Sequence, residues 1–303
     1  MMQLLKFIHQ TIFSLGEIRE FSENDLNESQ GSRSQKPLHN LLPAPEMALR
    51  LFLLGAQLSD ESDEEELAYE FIVQALTVYE EAISESKAQY ACMTLIIGRL
   101  CTMSVFGYEN YETLITKCAV HCSRLLKRAD QARGLLLASH LFWGNDFIKR
   151  GEDKPVYRDS KKVIELLQRS TKIAESVMDK SVSIELLIGI LDRYIWHYEA
   201  ENDQISPRLL NSLIQTINNS LKGMEIATPQ TETEAQSPSL FDKKLLSNRL
   251  PPVTFKHFEN IIFYISRKKE MESASLDASI SGVLNSGFGG DAHGRWGDVN
   301  TNV

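Results

Sequence analysis

Ser181-Val182-Ser183-Ile184-Glu185-Leu186-Leu187-Ile188-Gly189-Ile190-Leu191-Asp192-Arg193-Tyr194-Ile195-Trp196-His197-Tyr198-Glu199 is the stretch on which the fold turns. Leu186, Leu187, Ile190, Leu191, Tyr194 and Tyr198 recur at helical spacing. Together they cover more than one narrow stripe, as expected of a helix with neighbours on two sides. Working outward, segments of the same kind fill residues 45–222, separated by short polar breaks, and almost nothing between them reads as a strand. Stacked helical hairpins follow from that pattern, and such stacks present a long surface to partners.

Pro45 suits a first helical position, and Met47, Leu51, Leu54 and Leu58 mark the expected buried side of its helix. After an acidic break at 60–66, Ser62 and Glu65 have the spacing of a capping box, opening a helix over 65–83 with Leu67, Phe71, Leu76 and Tyr79 inward. Further helices are expected over 87–103, 109–128, 130–143 and 161–178. Gly107, Gly144 and a loop holding Gly151 and Pro155 supply the breaks. Ser206-Pro207 starts a shorter helix, and 254–270 reads as the last, with Phe258, Ile261, Ile262 and Ile265 packing. Helix pairs recur roughly every 35 to 45 residues, within the HEAT-like range. The expected architecture is therefore all-α, a HEAT-like α-solenoid of antiparallel helix pairs over 1–270. Flexible insertions are expected at 22–43 and 225–252, and a flexible glycine-rich tail over 271–303. The first helix, at 3–21, starts abruptly, as in a fragment of a longer solenoid.

Composition narrows the function. The 303 residues carry a formal charge of -9, and no Lys/Arg-rich stripe covers a helix, which argues against binding nucleic acid by phosphate neutralisation. Apolar runs such as 94–98 and 134–139 are far short of a bilayer span. The amino-terminal residues have neither a basic leader nor a small-residue cleavage site, favouring a cytosolic location. Cys92, Cys101, Cys118 and Cys122 sit within helical patterns and suit a reducing compartment. Cys118 and Cys122 share a helix face, but no second Cys or His pair completes four ligands, so buried small hydrophobes are expected. No metal or cofactor is expected.

Catalytic signatures are missing too. Phosphate-binding glycine loops, the zincin motif and the nucleophile elbow are all absent, and Gly287-Phe288-Gly289-Gly290 joins no strand to a helix. His140 and His197 have aromatic neighbours but no spacing that supplies an orienting carboxylate. Glu80 and Glu81 close an apolar helix and Glu85 opens the next turn; adjacent carboxylates of this kind do not face a common cleft. Solvation and cap electrostatics explain them, and a charged partner or subunit contact is the functional alternative.

The run Tyr79-Glu80-Glu81-Ala82-Ile83-Ser84-Glu85-Ser86-Lys87-Ala88-Gln89 resembles a hairpin in the large α-solenoid (vacuolar protein sorting) subunit of the retromer coat. Thr94-Leu95-Ile96-Ile97-Gly98, Ala138-Ser139-His140-Leu141-Phe142-Trp143 and the run from Ile190 to Glu199 follow in that family's order. The resemblance covers residues 45–220 and is to the family's C-terminal half, of fungal type. It implies a non-catalytic scaffold that holds the metallophosphoesterase-fold small subunit and supports coat dimerisation during endosome-to-Golgi retrieval of cargo. The location implied is cytoplasmic, peripheral on the cytosolic face of endosomes. The arrestin-like subunit would bind through the N-terminal half missing here, and sorting nexins and a small GTPase would join the assembly. For the small subunit the anchor candidates are Trp143, Tyr194 and Tyr198. For a second copy of the large subunit they are Glu80, Glu81 and Glu85 against Arg169 and Lys172. The competing reading is another helical-repeat adaptor or vesicle-coat interaction protein.

Overall fold

The computed structural model describes residues 44–144, 156–226, 250–283 and 295–301, together with residues 3, 7 and 10–12. Those residues are all-α, with helices packed on helices and no strand among them. The expected insertion at 22–43, most of the helix at 3–21, the loop of Gly151 and Pro155, residues 227–249 of the second insertion and 284–294 of the tail lie outside the described residues. Two compact units make up the chain, Met1–Leu166 and Leu167–Val303.

Unit one holds α1 (Ala44–Glu61), α2 (Glu65–Ala82), α3 (Ser86–Thr102), α4 (Tyr108–Arg124), α5 (Arg128–Ala138), a 3-10 turn (Ser139–Phe142) and the start of α6 (Ser160–Glu175). Each of α1 to α4 packs on its successor, which the short turns between them make an antiparallel neighbour. In addition α1 meets α3, α2 meets α4 and α3 meets α5, so odd and even helices fall into two layers. That pattern is the stacking of a HEAT-like α-solenoid. Between the layers lie Phe52, Phe71, Leu76, Ile96, Leu100, Leu114, Cys118 and Cys122, all buried. Each Phe, Leu or Ile among them stabilises the stack by about 1.5–3 kcal/mol relative to exposure. The α1–α2 contact is the closest: a Cβ added at Gly55 would stand 2.5 Å from the buried Phe71 ring, so only glycine fits.

The first helix departs from its expected orientation. Met47, Leu54 and Leu58 are exposed, and α1 buries Leu49, Phe52, Leu53 and Ala56 instead. Both sets repeat at helical spacing, and α2 covers the second because that face alone allows the Gly55 approach. The capping box is also absent. Ser62 Oγ donates to the Leu58 carbonyl, and α2 begins after Glu64 with no side-chain cap. Backbone bonds from Glu64 N to Ser59 O and from Asp63 N to Asp60 O, with Asp63 at φ 55°, close α1 in a Schellman motif.

Unit two holds the rest of α6, then α7 (Lys180–Glu199), α8 (Pro207–Ile226) and α9 (Pro252–Val283), with residues 295–301. The decisive stretch of the sequence is α7, one residue longer at its start than expected. Asp179 caps it, accepting from Ser181 N at 2.9 Å and Val182 N at 3.3 Å. It packs against both α8 and α9, accounting for its broad apolar surface. Its end is a second Schellman motif: Asn202 N bonds His197 O, Glu201 N bonds Tyr198 O, and Glu201 sits at φ 61°. The last helix runs well past the expected residue 270, to Val283.

Candidate interaction surface

Three aromatic side chains were the expected anchors, and each is buried within its own unit. Trp143 follows the 3-10 turn, where the expected helix over 130–143 stops at Ala138. Tyr111 donates its hydroxyl to the Leu141 carbonyl at 3.0 Å inside that turn. The chain then returns alongside: Gly144 N bonds Tyr157 O and Asp159 N bonds Phe142 O, both at 2.8 Å. Arg158 lies 5.2 Å over the Trp143 ring, while Tyr157 gathers the rings of Tyr108, Tyr111 and Phe142 at 4.9, 5.5 and 6.5 Å. Trp143 under Arg158 and the ring cluster around Tyr157 together fasten the segment before α6.

Tyr194 and Tyr198 lie on α7, four residues and one turn apart. Burial pushes the Tyr194 phenol up to about 12, and the Thr171 side chain opposes that shift. Tyr198 stands edge-on to Trp296 at 4.9 Å, and its hydroxyl donates to the Arg295 carbonyl. Beside it, a cleft of about 350 Å³ between α7 and α9 is lined by Asp192, Trp196, Glu199, His257 and Tyr264. Lys268 Nζ meets Glu199 Oε1 at 3.0 Å in its wall, and Tyr264 donates to the same oxygen at 2.5 Å.

The charged candidates divide. Glu81 and Glu85 are exposed at the α2–α3 turn, and Arg169 and Lys172 are exposed on α6 of the other unit, three residues apart on one face. Glu80 already has partners in its own chain: its Oε1 lies 2.7 Å from Lys117 Nζ and 2.8 Å from His121 Nε2, both on α4. The Lys117 hydrogen bond holds the Glu80 carboxyl below its usual range despite partial burial. Burial lowers the His121 pKa, and the hydrogen bond it gives to Glu80 opposes that shift. With its proton on Nε2, the neutral imidazole donates to the carboxylate. Sequence alone could not have found these partners, which lie 37 and 41 positions away, Glu80 to Lys117 and Glu80 to His121.

The acidic break at 60–66 ties the two hairpins of unit one together. Asp60 Oδ1 accepts from Ser104 N at 2.7 Å and Val105 N at 2.8 Å. Glu65 Oε1 accepts from Gly107 N at 2.7 Å and Asn110 Nδ2 at 2.8 Å. Two carboxylates thereby fix the α3–α4 connection against the α1–α2 turn and satisfy its backbone donors. Cys118 and Cys122 are buried; burial pushes the Cys122 thiol up to about 12 and Cys118 higher still, so both act as small protonated hydrophobes. Among the described residues no cluster of three or more His, Cys, Asp or Glu side chains is placed to hold a metal ion. Nor is any helix among them long and apolar enough to cross a membrane.

Comparison with known proteins places this geometry. The family described as vacuolar protein sorting-associated protein 35 matches residues 3–220. The protein of that name from Schizosaccharomyces pombe is 34% identical over 231 residues, 75% of this chain and 27% of its own length. Vacuolar protein sorting-associated protein 35A of Arabidopsis thaliana is 41% identical over 185 residues, 59% of this chain and 23% of its own. The Dictyostelium discoideum protein 35 is 26% identical over 172 residues, 57% and 21% of the two chains. The chain thus spans about a quarter of the length of the curated relatives it matches.

Proposed function

This chain belongs to the vacuolar protein sorting-associated protein 35 family, and from that premise we propose that it is a non-catalytic scaffold segment of the retromer large subunit. Its work is to hold the metallophosphoesterase-fold small subunit and to meet a second large subunit, for endosome-to-Golgi retrieval of cargo on the cytosolic face of endosomes. The observation that carries this reading is the family match over 3–220, which runs across the two-layered helices α1 to α5 and on through α7. Contacts with the arrestin-like subunit, sorting nexins and a small GTPase belong to the same proposal.

A scaffold needs area and order. An obligate interface buries roughly 2,000 Å² or more, which a stack of helix pairs can supply. Trp143, Tyr194 and Tyr198 are buried, so their part in holding the small subunit is to fix the turns that carry the contact. Met47, Leu54 and Leu58, exposed along one face of α1, add apolar surface to the same unit. Glu81 and Glu85 offer charge to Arg169 and Lys172 of a second copy, with Glu80 contributing less because Lys117 already neutralises it. Exposed pairs contribute only about 0.2–1 kcal/mol each, so they set orientation more than affinity.

The test is co-purification of this chain with the small subunit, followed by sizing. A stable complex is expected, weakened by Trp143→Ala in a chain whose circular dichroism is unchanged. Recovery of both proteins apart under all salt conditions would favour the adaptor alternative.

A further inference from the structure

Within the tail, residues 295–300 lie on unit two in a way that reads as a bound peptide. Trp296 and Val299, three apart, are buried. Arg295 stacks its guanidinium 4.4 Å over the Tyr198 ring. Three side chains of unit two take backbone groups of the segment. Glu272 Oε2 accepts from Trp296 N at 2.8 Å, and the Tyr198 hydroxyl donates to the Arg295 carbonyl. The Asn211 carboxamide bonds twice, donating to the Asp298 carbonyl at 2.9 Å and accepting from Asn300 N. One amide side chain pairing with a carbonyl and with an N–H two residues on offers what a neighbouring strand would. Main-chain bonds of this kind give affinity, and side-chain pockets give specificity.

We propose that unit two carries a groove for short linear peptides of the form Arg-Trp-x-x-Val, and that the chain's own residues 295–300 are its resident ligand, bound in cis. Tyr198 and Asn211 read the peptide from α7 and α8, and Glu272 reads it from α9. Covalent linkage to α9 makes the docking intramolecular, with an effective concentration on the order of millimolar. A free peptide of the same sequence therefore competes poorly until the resident copy is disabled.

A labelled peptide of residues 293–303 and the full chain provide the test. The Trp296→Ala/Val299→Ala chain should bind the peptide at least tenfold more tightly than the unaltered chain. Adding Asn211→Ala should reverse that gain, and a peptide with Trp296→Ala should not bind. Equal binding by altered and unaltered chains, no binding by either, or indifference to Asn211→Ala overturns the proposal. Should the double variant misfold, the single Asn211→Ala chain decides: hydrogen exchange at the Asn300 amide should rise at least tenfold over the unaltered protein. A fast-exchanging Asn300 in the unaltered protein also overturns it. No small subunit enters these measurements, so their failure is separable from failure of the scaffold reading.

Discussion

In unit one the residues that cover each helix come from the next helix or two along the chain, whereas unit two completes its surface with a segment that meets Tyr198 from 97 positions away. The α1–α4 stack closes through Phe71 against Gly55 within the first hairpin, and through Asp60 and Glu65 against the α3–α4 connection of the next. Unit two seats Trp296 edge-on to Tyr198 of α7 and buries Val299 as well. A stack of the first kind stores its stability in every neighbouring pair. The second kind can lose one surface and keep its helices.

Substitutions can break that contrast. The largest effect is expected from Phe71→Ala, which empties the middle of the α1–α2 contact and should cost about 3–5 kcal/mol, measured by urea unfolding. Trp296→Ala should cost less, about 1.5–3 kcal/mol at most, because undocking the tail is a cheaper escape than unfolding α7 to α9. Hydrogen exchange resolved by segment should show the loss at 295–301 and leave α7 protected; a loss spread through α7 would mean that the tail is integral to the core. A gain is expected where both units share a device. Glu201→Gly relieves a left-handed residue at the end of α7 and should add about 1 kcal/mol. Asp63→Gly at the matching place in unit one should add less, since aspartate tolerates that conformation better.

The smallest effect separates the units by pH. His121 binds its proton less readily folded than unfolded because it is buried, so acidification protonates the unfolded chain first. The stability His121 lends is full above its ordinary value of 6.5 and is lost as pH falls through the lower folded value. Glu80, held below its ordinary 4.5 by Lys117, adds a loss of the same sign at more acid pH. His121→Gln should therefore flatten the decline in unit-one stability between pH 7 and 5, read by thermal melts across that range.

Interior helices were legible in the sequence because a single period describes each one. Leu67, Phe71, Leu76 and Tyr79 of α2, and Cys118 and Cys122 of α4, are buried as their spacing required. Helix α1 misled because it has two apolar faces, and periodicity cannot choose between Met47-Leu54-Leu58 and Leu49-Phe52-Leu53 without knowing what α2 can approach. The Ser62–Glu65 pattern failed for a related reason. A local cap competes with distant donors, and Gly107 N took the carboxylate. Trp143 could be placed by sequence at a helix end but not under Arg158, which lies 15 positions further along the chain. In the glycine-rich tail the relevant signal was small: two apolar residues, Trp296 and Val299, too few to register as a core.

The distance between Tyr198 and the segment that covers it also sets a delay at the ribosome. At about 5–20 residues per second, Tyr198 is made roughly 5–20 s before Arg295. For that interval a nascent chain carries Tyr198 on α7 without the segment that covers it, open to chaperones or to whatever assembles with the protein during translation.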